Sequence, residues 1–413
     1  MKNICEKLFT FFLPLLFIFP VFKENISSIF FIALSINTII YSIITGYYKS
    51  FDKKMLWFTI PFWVLLLFCL VYFDTVKSLK PARQGLFFLL FPIIFSLIPK
   101  VYFSKEKIYL YITILRYSCL IIAFGFIAGF LYKYDFADFF VYKYDIPKFR
   151  DFVYNEISFF KIHPTYYTAV VILCTAFSFE RVLKEGKFYD LIYVLIFIVI
   201  TFLVLAKLNI VFLGILLAIM LLFRSGFNLR QKIGAISTFI ILTLILAFTI
   251  PGIKHRFAEM YKSYANPPKG LAYDSTNIRM SITKCSIEVA KENYLFGVGF
   301  DNLTDELYEC FKGNYDSSFY ENHRYLTHNY FAYIFLSTGI IGMLCFLFYC
   351  YKITVEVRKI NRFLLYVTVI NVFFICLTED YFYRHYGIFY FNLIIMTFIN
   401  HSKYLALDNQ SQQ

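Results

Sequence analysis

The sequence predicts an all-α, polytopic membrane protein with about twelve transmembrane helices and one large polar loop between the ninth and the tenth. Three observations predict it. Of the 413 residues, 60% are hydrophobic and only 16% are charged, against about 25% charged in an ordinary soluble domain. The 54 Phe and 35 Tyr, with a mean hydropathy of +0.64, supply more apolar side chain than soluble cores of this length would bury. Finally, the apolar residues fall into runs of about 20, the length at which a helix rising about 1.5 Å per residue crosses a hydrocarbon core of about 30 Å. The aromatic content excludes disorder, and 16 Gly and 11 Pro without a short repeat exclude collagen-like and low-complexity chains.

Twelve runs qualify, over about 8–22, 26–47, 55–73, 85–103, 108–132, 164–180, 188–206, 208–223, 233–253, 329–351, 363–379 and 385–400. Lys2 and Lys7 ahead of the first run suggest a secretory leader, but Phe19-Pro20-Val21-Phe22 offers no small-residue cleavage site, so the run reads as a retained helix. Twelve crossings put both termini on one side. Alternate turns carry basic clusters: Lys49, Lys53 and Lys54; Lys100, Lys105 and Lys107; Arg181, Lys184 and Lys187; Arg224, Arg230 and Lys232; Lys352, Arg358, Lys359 and Arg362. The positive-inside rule assigns these turns and both termini to the cytoplasm. The net charge of +13 is then a topology signal, and no nucleic-acid partner is expected. The organisation that follows is 1–253 with helices one to nine, 254–328 as a large outward loop, 329–401 with the last three helices, and 402–413 as a cytoplasmic tail.

Basic residues on the outward side have no topological reason to be there. Turn 74–84 sets Lys77, Lys80 and Arg83 against Asp74 alone, which points to an anionic ligand on that face. Arg116, inside the fifth run, is a costly position for a charge unless it reaches a partner or the interface.

The outward loop has internal order. Apolar residues at 282, 285, 289 and 290 recur at helical spacing, so an amphipathic helix should start near Ser275–Arg279 and end at Gly297-Val298-Gly299. A second short helix is expected over about 302–311. Each holds one cysteine, Cys285 and Cys310, which could pair in an oxidising compartment, although spacing alone does not fix their separation. The nine cysteines include no Cys-x-x-Cys pair, so neither zinc nor any other metal or cofactor is expected.

The sharpest pattern closes the loop: His323-Arg-Tyr-Leu-Thr-His328-Asn329, nine residues, Gly339, two residues, Gly342. It resembles the signature of the O-antigen ligase and O-antigen polymerase superfamily of membrane glycan transferases. Asn277-Ile278-Arg279, leading through a helix to Tyr294-Leu-Phe-Gly297-Val-Gly299, is similar to that family's arginine segment ahead of its P-x-x-G-x-G element, with Tyr294 in place of the proline. His163-Pro164-Thr165, and Glu379-Asp380-Tyr381 with Arg384, also resemble family positions. Where ligases carry an arginine at the start of the eighth helix, this chain has Lys207, which keeps the charge and loses the bidentate fork.

The resemblance implies a fold like the C-type glycosyltransferases (GT-C), with the large loop periplasmic and the chain in a bacterial inner membrane. It further implies a donor glycan on undecaprenyl diphosphate and an acceptor hydroxyl on lipid A-core, on another lipid-linked repeat unit or on protein, with membrane lipids around both. No Asp-x-Asp occurs in the chain to hold a divalent metal, so basic side chains are expected to stabilise the leaving diphosphate. Arg279 is the first candidate, with Lys207, Lys80, Arg83 and Arg384 beside it. His328 is the candidate base for the acceptor hydroxyl, since an imidazole with a pKa near 6.5 suits that task. Asn329 and His323 flank it as candidate substrate contacts. Glu379 reads as a partner of Arg384, and Gly339 and Gly342 as places where another helix approaches closely. A transporter or flippase of the same lipids is the rival class; it would call for repeated halves and charges near the bilayer midplane, and no internal repeat is visible.

Overall fold

The computed structural model describes residues 1–143, 146–157, 162–226, 228–234, 275–315 and 324–411, together with positions 237, 241 and 261. Within them lie α1 (Lys2–Leu16), α2 (Glu24–Thr45), α3 (Ile60–Val71), α4 (Lys80–Gln84), α5 (Leu86–Ser96), α6 (Lys105–Lys133), α7 (Lys148–Asp151), α8 (Pro164–Glu185), α9 (Leu191–Val204), α10 (Lys207–Arg224), α11 (Ser275–Glu292), α12 (Leu303–Asn314), α13 (Tyr330–Ile360), α14 (Phe363–Cys376) and α15 (His385–Ser411). The sole sheet among the described residues is a two-residue antiparallel pair, Tyr142–Lys143 with Ile146–Pro147.

Among the described residues, six helical stretches are long and apolar enough to cross a membrane: Glu24–Thr45, Lys53–Val71, Lys105–Lys133, Pro164–Glu185, Lys207–Arg224 and Tyr330–Ile360. Shorter apolar helices cover Leu86–Ser96, Phe188–Val204 and Phe363–Cys376. The helices named above overlap eleven of the twelve spans expected from the sequence; the remaining one, 233–253, lies almost wholly outside the described residues. So do most of 254–274 and all of 316–323, including His323.

The chain forms two compact units. One comprises Met1–Leu13, Phe31–Ile108 and Lys262–Gln413; the other comprises Pro14–Phe30 and Tyr109–Tyr261. In the first, α5 packs along α15 through a cluster of phenylalanines, Phe31, Phe87, Phe91 and Phe389, with ring centroids 4.3–6.3 Å apart. Edge-to-face packing of this kind adds about 0.5–1.5 kcal/mol per pair beyond the area buried. α3 and α13 form a second contact, beside which lie the loop residues described below.

The second unit is organised on α8, which is buried on nearly every face and packed by α9 and α10. Its sequence explains this, because Thr165, Thr168, Ala169, Cys174, Thr175, Ala176 and Ser178 are small enough to let neighbouring helices come close. Pro164 occupies the first turn and the His163 ring nitrogen accepts the Thr165 amide at 3.3 Å, so His163 serves as the N-cap. Asn209 of α10 donates to Thr165 O at 3.1 Å and to the Thr168 hydroxyl.

Arg116 is neither exposed nor unpaired. Its Nη1 lies 3.1 Å from Asp190 Oδ1, and Arg181 Nε lies 3.0 Å from Asp190 Oδ2, with all three side chains at most 5% exposed. The ring of Tyr193 stacks on the Arg116 guanidinium at 4.2 Å. Two arginines thus share one buried carboxylate, and the flat guanidinium of Arg116 meets the acid at its edge and an aromatic ring on its face.

Candidate active site

The loop between the ninth and tenth expected spans folds back on the first unit by two devices. The first is the disulfide Cys285–Cys310, with Cα atoms 5.7 Å apart, which ties α11 to α12. Each cysteine sits on its helix beside buried apolar residues, Ile282 and Val289 on α11 and Leu307 and Phe311 on α12, and the two helices pack together. Among the described residues, the one cluster compact enough for a metal ion is Cys285, Glu288 and Cys310, and the disulfide consumes its two thiols.

The second device is a short backbone ladder. At Gly339 (φ 63°, ψ −164°) α13 breaks, and the freed groups pair with the turn that follows α11: Val298 N–H to Leu336 O at 2.8 Å, Gly299 N–H to Ser337 O at 3.0 Å, and Ile340 N–H to Tyr294 O at 2.8 Å. Only glycine adopts that conformation without strain. A Cβ on Gly339 would sit 2.2 Å from Leu295 O, and one on Gly297 would sit 2.5 Å from Leu336 O. Tyr72, just past α3, donates its hydroxyl to Gly297 O at 3.0 Å. The expectation of helix-on-helix packing at Gly339 is therefore corrected: the close partner is an irregular loop, and the glycine is needed for its own backbone as well as for space. Gly342 faces Thr338 of its own helix, whose Oγ1 would lie 2.0 Å from a Cβ there.

These devices set Arg279, on the first turns of α11, beside the start of α13. Arg279 Nη2 lies 3.1 Å from Glu379 Oε1, and His328 Nδ1 lies 3.7 Å from Glu379 Oε2. One carboxylate thus spans the two residues that sequence reasoning put first. The Arg279 side chain is 45% exposed and the His328 side chain 34%, against 21% for Glu379, so the cation and the imidazole remain open to a ligand while the carboxylate sits behind them.

The backbone under His328 is held by Asp380. Its carboxylate accepts the Thr327 hydroxyl at 2.6 Å, the His328 amide at 3.0 Å and the Asn329 amide at 3.2 Å. Burial pushes the Asp380 carboxyl above the usual carboxylate range, partly countered by the Thr327 bond and by His328. His328 itself has φ 47°, a left-handed backbone that few non-glycine residues adopt. Asn329 then caps α13, its side-chain oxygen accepting the Phe331 and Ala332 amides at 3.0 and 3.1 Å. That oxygen is accordingly committed to the helix.

Lys80, the first residue of α4, places its ammonium 5.5 Å from the Tyr383 ring, in the single turn of helix that separates Asp380 from Arg384. Arg384 is exposed next to it, as is Arg83 one turn along α4. Lys207 belongs to the other unit. It is exposed at the start of α10, after a turn in which Leu205 takes φ 50°. Arg150 braces that turn by donating to Val204 O at 3.2 Å and to Leu205 O. A cation at a helix N-terminus is disfavoured by the helix dipole, and an anion arriving there would meet both the ammonium and the open amides.

Glu379 takes Arg279 and His328 as partners, two contacts that the expected Glu379–Arg384 pairing did not include. Sequence reasoning noted Glu379-Asp380 but gave neither carboxylate a place in the site. The available signal was two adjacent acids at the entrance to the last apolar run. Arg150 carried no such signal.

Residues 192–347 match the family model described as O-antigen ligase. None of the curated proteins matches the chain.

Proposed function

We propose that this multi-pass membrane protein, whose residues 192–347 match the O-antigen ligase family model, transfers a glycan from undecaprenyl diphosphate to an acceptor hydroxyl, with lipid A-core as the acceptor. The observation that carries the reading is the meeting of Arg279 and His328 on Glu379. The leaving diphosphate develops negative charge, and Arg279, with Lys80 and Arg384, supplies fixed cations for it; a guanidinium matches two phosphate oxygens at once. The absence of any Asp-x-Asp from the sequence supports a reaction that proceeds without a divalent metal.

His328 takes the proton from the acceptor hydroxyl as the new glycosidic bond forms. Its backbone is fixed by Asp380 and its Nδ1 lies 3.7 Å from Glu379 Oε2, which helps to orient the ring. In this reading the chain has twelve crossings in a GT-C-like frame within a bacterial inner membrane. Both termini are cytoplasmic and the site is periplasmic. The disulfide in the large loop supports that side, because such bonds persist in oxidising compartments.

The test is transfer by the purified protein from a synthetic lipid-diphosphate glycan in the presence of EDTA. Wild-type transfer that falls by about 10²–10⁴ in His328→Ala, and falls strongly in Arg279→Ala, is the expected result. Undiminished transfer by both variants would overturn the site. Offering lipid A-core, a second lipid-linked glycan and a serine peptide in parallel distinguishes ligase from polymerase and from protein O-glycosylation.

A further inference from the structure

The turn that joins α11 to α12 presents three consecutive large apolar side chains to the surroundings: Tyr294, Leu295 and Phe296 are 61%, 43% and 54% exposed. In an aqueous loop such a run is a liability. It is bounded by Lys291-Glu292-Asn293 on one side and Asp301-Asn302 on the other. Polar residues therefore stand at both ends of a short apolar dip.

The depth of this turn follows from its ladder with α13. Below Gly339 the helix runs unbroken to Ile360, and Lys352, thirteen residues on, sets its ammonium 5.0 Å from the rings of Trp57 and Phe348. Tryptophan and lysine together mark a membrane interface, and Arg358 and Lys359 follow in the polar region beyond. Thirteen residues at about 1.5 Å each place Gly339 about 20 Å from that interface. Allowing for the reach of the lysine stem, the paired turn lies about 5–10 Å inside the opposite edge of a hydrocarbon core about 30 Å thick. Irregular backbone survives at such depth only when protein satisfies its polar groups. Here Val298 N–H, Gly299 N–H and Tyr294 O are all paired with α13, and Gly297 O with Tyr72.

We propose that residues 294–300 form a re-entrant segment whose Tyr294, Leu295 and Phe296 side chains pack against the hydrocarbon chains of the leaflet on the loop side, anchoring the end of α11 in the membrane. The inference rests on α13 crossing the bilayer and is independent of the glycan-transfer reading.

The test is fluorescence quenching in lipid nanodiscs. The chain has two tryptophans, Trp57 and Trp63, so W57F/W63F gives a dark background for F296W and for E309W, an exposed position on α12. F296W should emit at shorter wavelength, lose intensity when the acyl chains are brominated and resist iodide, with E309W showing the reverse. Iodide quenching of F296W equal to that of E309W, with no response to bromination, would overturn the proposal. Should the tryptophan-free background fail to fold, a photoreactive phenylalanine analogue at 296 in the otherwise native chain answers the same question. Lipid acyl adducts at 296 and none at 309 support the re-entrant segment, and no lipid adduct at 296 rejects it.

Discussion

Asp380 accepts the backbone amide of His328 at 3.0 Å, and so fixes a left-handed residue at the point where an imidazole is wanted. The relationship is between a side chain and a main chain across the gap between two helices. It positions His328 without occupying its ring.

Asp380→Ala leaves the Thr327 hydroxyl and two amides without their acceptor. Hydrogen bonds to a charged group are worth about 1.5–3 kcal/mol each, so a clear fall in Tm is expected, with a larger proportional loss of transfer. The pH dependence has a definite sign. Burial raises the Asp380 carboxyl in the folded state, so folding takes up a proton between the unfolded value near 3.9 and the raised one. This contribution to stability is fully present below about pH 3.9 and is lost as pH rises through the raised value. The difference in Tm between wild type and Asp380→Asn, followed by thermal melts from pH 4 upward, should shift against the wild type as pH rises. A difference that is flat or moves the other way would contradict the assignment.

Gly339→Ala and Gly297→Ala each force a Cβ to within 2.5 Å of facing backbone at positive φ. Strain of this kind costs about 1–3 kcal/mol before the clash is counted. Both variants should melt well below wild type, whereas Gly313→Ala, in α12 with nothing within 4 Å of the new Cβ, should be neutral or gain up to about 1 kcal/mol.

Arg279 is half-exposed, so its ion pair with Glu379 adds little to folding. Arg279→Lys is expected to leave Tm nearly unchanged while lowering transfer substantially, because the ammonium keeps the charge and loses the two-pronged grip on phosphate. Parallel melts and transfer rates check this. A lysine variant with wild-type rates would assign Arg279 to surface pairing.

The Cys285–Cys310 bond closes a loop of 25 residues, for which chain entropy gives about 3–4 kcal/mol. The Cys285→Ser/Cys310→Ser variant should loosen α11 and α12 first. Hydrogen exchange across 275–315 is the direct readout, with faster exchange there and little change in α8.

Asp190→Asn takes the carboxylate from Arg116 and leaves Arg181 with Glu185, 3.5 Å from its Nε. Breaking a buried pair costs about 3–5 kcal/mol, so the variant should express poorly or melt early. Failure to see either would mean that Arg116 and Arg181 find other partners.

The helical frame was legible because a 20-residue apolar run has one physical use, and basic turns have a bias that survives without any structure. Arg279 and His328 were legible through their motif. Their shared carboxylate was not, because Glu379 lies 100 residues from Arg279, and no local pattern encodes which acid closes such a distance. The break at Gly339 was hidden for a different reason: a glycine inside an apolar run reads equally well as a close-packing site and as a kink. Only the ladder to Tyr294–Gly299 decides between them. His163, similar to a family position, proved to be a helix cap, a role that histidine seldom signals in sequence.

The break also divides α13 into two parts. Leu336 and Ser337 above the break and Ile340 just below it are laced to the loop, while 341–360 run on as plain helix. The loop therefore straddles the break, gripping α13 on both sides of Gly339, so that a displacement of residues 294–299 is felt at once by the upper segment that leads to His328 and by the first turn of the lower one.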